Sequence, residues 1–215
     1  CAGLDAGEAV GGIFAILRGR VSNLNIVVRR FSYGISDTGC STGIICGVAI
    51  GCSIDSVTVK LEYHSGIDGD QYLYDAIEHA NLGYPDNCVS LGGIAGYASG
   101  DVSMSDCTVV NDSGNMDGFS VQGIIPDIGS GAVYSIGGFI GRGEGADISA
   151  VNLRYGGDGM MSCIAVGDAE STRNLSYLVG YMTGGELNVD GFVAGGVGAV
   201  QCAGMTGEDY KGSVV

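Results

Sequence analysis

Residues 42–59 read TGIICGVAIGCSIDSVTV, and four other segments of the chain repeat their pattern. Each segment has a short apolar run, a glycine, three variable residues, a second glycine, and a further run in which apolar and polar residues alternate. Such a unit leaves one sheet edge unpaired and one apolar face uncovered, so the units are expected to stack on one another. The other four segments are residues 11–28 (GGIFAILRGRVSNLNIVV), 91–109 (LGGIAGYASGDVSMSDCTV), 136–153 (IGGFIGRGEGADISAVNL) and 177–192 (YLVGYMTGGELNVDGF).

The recurring glycines predict the corners of the repeating unit. Glycine adopts positive φ readily and also allows two backbones to approach closely. The apolar positions of the second run then slip by one residue, from Ile148 and Ala150 to Val151 and Leu153, which predicts a bulge or a corner between two short strands. The predicted corner glycines are Gly47, Gly51, Gly96, Gly100, Gly141, Gly145, Gly180 and Gly184, with Gly19 in the first unit.

These features predict an all-β fold, a parallel β-solenoid of about five irregular coils in a single domain over residues 1–215. Runs of three to six residues between corners are too short for helices and suit the faces of a coil. A β-propeller would need units of constant length, usually with an aromatic signature, and the chain has no Trp. The first apolar residues of the second strands are taken as equivalent: Val21, Ile54, Val102, Ile148 and Leu187.

The extra length between units predicts three insertions, at about 65–87, 111–135 and 156–174. The first contains the one expected helix, residues 70–81 (DQYLYDAIEHAN), which would pack on the coils through Leu73 and Ile77. The chain starts at Cys1 with no initiator methionine and ends at Val215 with no terminal cap. We therefore expect it to be a segment of a longer chain or array.

Composition excludes several classes of protein. The 41 glycines have no period of three and only 2 prolines accompany them, unlike collagen, while 46% apolar residues argue against a linker or a disordered tail. A net charge of −15 disfavours nucleic acid and anionic membranes as partners, and no apolar stretch is long enough for membrane insertion as a helix. Four basic residues cluster, and we interpret them as a pairing surface for acidic neighbours: Arg18, Arg20, Arg29 and Arg30.

The repeated strings resemble the GLUG motif of secreted and surface-attached bacterial proteins and related β-solenoid adhesins. Gly96-Tyr97 and Gly180-Tyr181 match the first half of that motif, and Val21-Ser22-Asn23-Leu24 and Ile148-Ser149 match the second. The first copy departs from it, with Ala15-Ile16 in place of Gly-Tyr. The resemblance implies an extracellular or cell-surface protein with a structural or adhesive role.

The eight cysteines support two interpretations. None forms a C-x-x-C pair, so a zinc ribbon or a redox motif is disfavoured. Their even number, the low lysine content and two N-x-[ST] sequons suit a secreted chain with disulfides, in which Asn111 and Asn174 are glycosylation candidates. Alternatively, the three cysteines spaced six apart are small core residues stacked in a sheet: Cys40, Cys46 and Cys52.

Motifs with catalytic chemistry are sparse. Residues 39–43 (GCSTG) fit G-x-S-x-G, but a nucleophile elbow needs a helix after Ser41 and an apolar strand is expected there. His79 lies four residues after Asp75 on the expected helix, while His64 stands apart; two ligands do not close a metal site. We therefore predict no catalytic residue and no cofactor.

Two oxygen-rich segments resemble calcium loops without the glutamate at the twelfth position. They supply the weak metal-ligand candidates Asp68, Asp70, Asp75 and Asp117, and a structural calcium ion is the alternative to no metal. Three tyrosines of the first insertion suit either packing on the coils or a carbohydrate-stacking patch: Tyr72, Tyr74 and Tyr84.

The sequence therefore predicts a non-enzymatic structural or adhesive solenoid, a rod segment or self-assembling subunit of a surface fibre. Expected partners are further copies, associating end to end or laterally, and carbohydrate or a host or cell surface. Two alternatives remain open. The first is a β-helix enzyme active on polysaccharides, with carboxylates collected from several coils. The second is a calcium-stabilised carbohydrate-binding module.

Overall fold

A computed structural model describes residues 8–28, 40–62, 88–112, 117–124, 133–158, 160–166, 172–195, 200–204 and 213–214. These residues form β-strands joined by turns, and no helix occurs among them. None of them builds a helix long and apolar enough to cross a membrane. The strands are β1 (Glu8–Gly11), β2 (Phe14–Leu17), β3 (Arg20–Val28), β4 (Cys40–Gly43), β5 (Cys46–Glu62), β6 (Cys88–Gly92), β7 (Ala95–Ser105), β8 (Thr108–Asp112), β9 (Asp117–Ile124), β10 (Val133–Gly137), β11 (Ile140–Gly156), β12 (Met160–Val166), β13 (Thr172–Ser176), β14 (Val179–Gly195), β15 (Val200–Gly204) and β16 (Ser213–Val214).

The strands form three parallel sheets that the chain visits repeatedly in the same order. The first sheet has the order β1-β4-β6-β10-β13-β16, and the third has the order β15-β12-β9. The second has the order β14-β11-β7-β5-β2, with β3 beside β5 and β8 between β5 and β11. We call each journey through the sheets a pass: pass 1 is residues 8–28, pass 2 is 40–62, pass 3 is 88–124, pass 4 is 133–166 and pass 5 is 172–204.

Successive passes are in register, so equivalent residues form columns across the sheets. In the second sheet Val102 pairs with Ile148, which pairs with Leu187. In the first sheet the pairing runs from Ser41 to Ser90 and on to Ser135. The all-β, parallel prediction is confirmed. The expected helix over residues 70–81 lies outside the described residues.

The expected equivalence of the second strands is wrong by two residues between pass 2 and later passes. Ile54 pairs with Met104, and Val102 pairs instead with Cys52. Register shifts lie between Ile50 and Cys52 and between Gly143 and Ala146. The expected equivalence of Ile54 and Ile148 fails because each bulge adds one residue to the later pass without changing the spacing of the glycines.

The predicted corner glycines divide into two structural classes. The second glycine of each unit has positive φ, +54° at Gly145 for example, at a position that is open around the missing side chain. The first glycine lies where backbones meet: a Cβ on Gly141 would be 2.5 Å from the Leu91 backbone nitrogen. The positive-φ class is Gly19, Gly51, Gly100, Gly145 and Gly184; the close-approach class is Gly47, Gly96, Gly141 and Gly180.

A second corner follows a few residues later and uses polar residues in place of glycine. This is the position where the sequence predicts a slip of the apolar pattern. Short polar side chains stabilise the left-handed conformation by local hydrogen bonds, which makes the φ values of about 50° tolerable. The column comprises Asn23, Ser56, Asp106, Asn152 and the glycine Gly191.

Most of the buried apolar side chains of the described residues meet in one core that runs through all five passes. In the middle passes the core positions are fully buried, among them Ile54, Val102 and Ile148. A smaller cluster forms around Val48 and Tyr97. Serines of the first sheet are also buried, and their small size suits the close approach of the glycine-bearing strand of the next pass.

The third sheet is built from residues that the sequence analysis treats as insertions. β9 falls in the expected insertion 111–135 and β12 in 156–174, and they pair in parallel. β15 adds the third strand, with Cys202 opposite Cys163. Part of the expected loop length is therefore a regular third side of the pass. The insertion at 65–87 lies outside the described residues.

Candidate functional site

The most extensive polar network of the described residues joins passes 3, 4 and 5. Tyr97, Arg142 and Tyr181 occupy one column of the second sheet. The Tyr97 hydroxyl donates a hydrogen bond of 3.1 Å to Glu144, and Arg142 forms an ion pair with the same carboxylate. The Arg142 guanidinium carbon lies 5.6 Å from the Tyr181 ring centroid, within cation–π range.

This network binds passes 3, 4 and 5 together. The Glu144 carboxylate accepts the hydrogen bond from Tyr97, and its charge is balanced by Arg142. The side chains of Arg142 and Glu144 are mostly buried, so the ion pair is screened less than one on an open surface.

A second network links the first three passes through Asp55. Arg20 of pass 1 forms an ion pair of 3.4 Å with Asp55, and the Ser105 hydroxyl of pass 3 donates a hydrogen bond of 2.6 Å to it. The hydrogen bond from Ser105 and the neighbouring Arg20 hold the pKa of Asp55 below its usual value. Arg20 thus acts as the sequence predicts, as a basic partner for acidic neighbours. Arg29 and Arg30 lie outside the described residues.

Other charged contacts also join adjacent passes. Lys60 contacts Glu62 within pass 2 at 3.0 Å and Asp112 of pass 3 at 3.3 Å, and these carboxylates raise the pKa of Lys60. The Asn152 amide donates to the Asp106 carboxylate across passes 3 and 4. All of these groups are at least partly exposed, so each pair contributes little stability alone. Together they fix the alignment of the passes.

The described cysteine side chains are free buried thiols. Cys46, Cys52 and Cys107 belong to the core and form no disulfide. Burial raises the pKa of Cys52 and of Cys107 to about 11, and burial together with nearby Cys52 raises the pKa of Cys46 further. The interpretation as small core residues is thus confirmed for Cys46 and Cys52, and the disulfide interpretation finds no support at these positions.

Two other candidate positions lie inside the protein. Ser41 of the G-x-S-x-G match is 1% exposed within β4, and strand β5 follows it. The match is therefore not a nucleophile elbow. Asn111 is 0% exposed and its backbone abuts Gly157 of pass 4, so this asparagine cannot carry a glycan in the folded chain. Asn174, in β13 of the first sheet, is partly exposed and stays a candidate.

The weak metal candidates are not brought together by the described structure. Asp68, Asp70 and Asp75 lie outside the described residues, as do His64, His79 and the tyrosines Tyr72, Tyr74 and Tyr84. The backbone of Asp117 begins β9, whereas its side chain is not described. Within the described ranges no three acidic, histidine or cysteine side chains are grouped to hold a metal ion.

The feature that could not be read from the sequence is the exposure of apolar side chains in passes 1 and 5 at columns that are buried in the middle passes. Leu187 and Val189 of β14 are 39% and 48% exposed, although they continue columns that are buried in pass 4. At the other end, Ile16 of β2 is 40% exposed.

No protein-family model, no curated protein and no solved structure matches this chain.

Proposed function

We propose that the chain is a β-solenoid segment with a structural or adhesive role at the extracellular surface, a building block of a rod or fibre. The observation that carries the proposal is the set of residue columns that continue from pass to pass on each side of the bulges. The same columns continue from Cys52 through Val102 and Ile148 to Leu187. The repeated strings also resemble the GLUG motif of secreted and surface-attached proteins, which favours the extracellular location.

The contacts of the charged side chains support a scaffold. Arg20 and Lys60 pair with carboxylates of the next pass, and Tyr97 donates a hydrogen bond to Glu144 of the next pass, so these contacts hold neighbouring passes in alignment. A β-helix enzyme would instead concentrate unpaired carboxylates in one groove. Glu144, the most buried of these paired acids, accepts a hydrogen bond from Tyr97 and forms an ion pair with Arg142, so it is not available as a free base.

The height of the five passes indicates how many units a rod would need. Parallel strands lie about 4.8 Å apart, so five passes rise only about 24 Å. This is comparable to the width of an ordinary small domain. A rod therefore requires many such units in a row, within one chain or between chains.

The proposal is tested by removing one complete pass. Ser90 and Ser135 are register partners, so deletion of residues 90–134 joins the chain where the next pass continues it. In a solenoid, each unit contacts only its neighbours, and the shortened protein should fold with β-rich circular dichroism and a cooperative but lower melting temperature.

Deletion of residues 90–111 is the matched control, because it removes about half of a pass and destroys the register. This variant should be insoluble or unfolded. If both deletions abolish folding equally, the passes are not modular units and the solenoid proposal is wrong. If both fold equally well, the register does not determine the fold.

A further inference from the structure

Two cysteines are register partners in the third sheet. Cys163 of β12 stands opposite Cys202 of β15, and the two residues on each side of them pair in the same parallel register. Val121 of β9 continues the column on the other side of Cys163. Cysteines are 8 of the 215 residues, so chance alone would seldom place two of them in register.

The other cysteines of the described strands have no cysteine beside them in the ladder. Their register partners are Glu8 and Val89 for Cys40, Phe14 and Ala95 for Cys46, Val102 for Cys52, and Val133 for Cys88. Those whose side chains are described are free thiols of the core, among them Cys46 and Cys52. The pair in the third sheet therefore differs from the core cysteines in its neighbours.

The backbone spacing of the pair suits a disulfide bond. Neighbouring strands of a parallel sheet lie about 4.8 Å apart, and residues in register occupy the same face of the sheet. The Cα atoms of disulfide-bonded cysteines are usually about 4.4–6.8 Å apart. A bond between Cys163 and Cys202 therefore needs no shift of β12 along β15.

We propose that Cys163 and Cys202 form a disulfide bond that joins passes 4 and 5 on the third side of the solenoid. The proposal rests on the proposed function, which supplies the register of the passes and an extracellular, oxidising environment. It names a pair for the disulfides that the cysteine content predicts in general terms.

The oxidant is a low-molecular-weight disulfide of the glutathione type. One cysteine loses its proton to water, and its thiolate attacks the small disulfide, which forms a mixed disulfide and releases one small thiolate. The second cysteine, also deprotonated, attacks the protein sulfur of the mixed disulfide and releases the second small thiolate. Two protein thiols are oxidised, and one small disulfide is reduced to two thiols that take up the two protons.

Such a bond would enclose one complete pass. After β12 the chain runs through β13 and β14 and returns to the third sheet in β15. A crosslink across a loop of this length removes conformational freedom from the unfolded chain and so stabilises the folded one. Among the described residues the third sheet has three strands, fewer than the other two sheets, so the crosslink acts where the ladder is shortest.

The bond is tested by peptide mapping. The purified wild-type chain is oxidised with glutathione disulfide, its free thiols are alkylated in denaturant, and it is digested with trypsin. Cleavage after Arg154, Arg173 and Lys211 gives peptide 155–173, whose one cysteine is Cys163, and peptide 174–211, whose one cysteine is Cys202. The expected product is these two peptides joined, lighter than their sum by two hydrogen atoms and separated by reduction. In the same digest Cys46 and Cys52 should be alkylated.

A stability measurement shows whether the bond joins the passes. Oxidised wild type should melt roughly 5–10 °C above the same protein in dithiothreitol. Cys163→Ala, Cys202→Ala and the double variant should each melt at one temperature in both conditions. Because either substitution removes the whole bond, the double variant should lose no more of the redox difference than each single variant.

Cys52→Ala is the matched control, because Cys52 is a buried thiol whose register partner is Val102. It should lower the melting temperature in both conditions and keep the difference between them. Circular dichroism establishes that each alanine variant is folded before its melting temperature is interpreted.

Three results would overturn the proposal. The first is recovery of Cys163 and Cys202 as alkylated thiols from the oxidised wild type, which would make them small packing residues like Cys46. The second is a link from either one to another cysteine or to a second chain. The third is a redox difference in melting temperature that persists in the double variant.

This test and the deletion test fail separately. Deletion of residues 90–134 leaves both cysteines in the chain. A deletion variant that folds, from a wild type that lacks the linked peptides, would retain the solenoid and reject the disulfide. A wild type that forms the link, with a deletion variant that does not fold, would retain the disulfide and reject modular passes.

Discussion

Strands β11 and β14 have the same length and run in register, yet they differ sharply in burial. Ile148 is fully buried in β11, whereas its partner Leu187 in β14 is 39% exposed. The residue types are equally apolar, so the difference comes from position: among the described residues, β11 has a pass on each side and β14 has a pass on one side. In this fold an apolar column is buried by its neighbours in the stack, and a pass is stabilised as much by the next pass as by its own sequence.

The largest effect on stability is expected at the close-approach glycines, where β11 and β14 should behave alike. Gly141→Ala in β11 places a methyl group 2.5 Å from the Leu91 nitrogen, and Gly180→Ala in β14 places one 2.6 Å from the Ile136 oxygen. Both contacts are to backbone of the preceding pass, which cannot give way cheaply. We expect each variant to lose about 3 kcal/mol or more of the free energy of unfolding, measured by urea denaturation. A wild-type urea midpoint for either variant would contradict the close approach.

The next prediction separates the two strands. Ile148→Ala should cost about 2–5 kcal/mol, because it removes a buried side chain and leaves a cavity. Leu187→Ala should cost only about 1 kcal/mol, since water already reaches much of the side chain. The comparison is made by urea unfolding at a concentration where the chain is monomeric. Equal costs would mean that Leu187 is covered in solution and that β14 is not an open edge.

A smaller effect is expected at the open corners. Gly145→Ala meets no atom within 4 Å but forces alanine to a φ of +54°, so we expect a loss of about 1 kcal/mol in thermal or urea unfolding. Gly195→Ala, also open and without positive φ, is the control and should leave stability unchanged. A loss of stability in the Gly195 variant equal to that in the Gly145 variant would show that backbone strain is not the cause.

The smallest effect on stability is the pH dependence that comes from Asp55, a residue of β5 with a paired strand on each side. The pKa of Asp55 is lowered in the folded state, so its contacts with Ser105 and Arg20 stabilise the protein above the unfolded pKa of about 3.9. That contribution is lost as the pH falls through the folded value. Wild type should therefore melt slightly above Asp55→Asn at pH 7, and the two melting temperatures should converge at pH 2. A constant difference across this range would refute the assignment.

The sequence was informative where geometry restricts the residue type. The glycines at positive φ could be predicted because few other residues tolerate that conformation, and the close-approach glycines recur for an equally strict reason. The pairing of Val21 with Ile54 was also predicted correctly, whereas the pairing of Ile54 with Met104 could not be predicted, because a bulge shifts register without changing the spacing of the glycines. β9 and β12 could not be predicted as strands because their spacing in the chain is irregular, although Val121 and Cys163 stand opposite each other.

The end passes could not be predicted for a different reason. Leu187 and Val189 look like core residues in sequence, because alternation reports which face of a strand is apolar and not whether a neighbour covers it. The ionic networks also could not be predicted from the sequence. Arg142 and Glu144 are two residues apart on one strand, but Tyr97 reaches Glu144 because passes 3 and 4 align, and no local sequence pattern predicts that alignment.

The exclusively parallel pairing of the described strands also constrains how the polypeptide acquires its structure during synthesis. No described strand pairs with its immediate successor through a tight hairpin. Strand β1 pairs with β4, with Glu8 opposite Cys40, and β10 pairs with β13, so each pairing forms only after the later strand has been synthesised. The first pairing therefore requires closure of a long loop, which makes nucleation slow. Each later pass can pair with a strand edge that has already formed. Folding should accordingly propagate along the emerging chain, with the newest pass always the least protected from aggregation and from proteases.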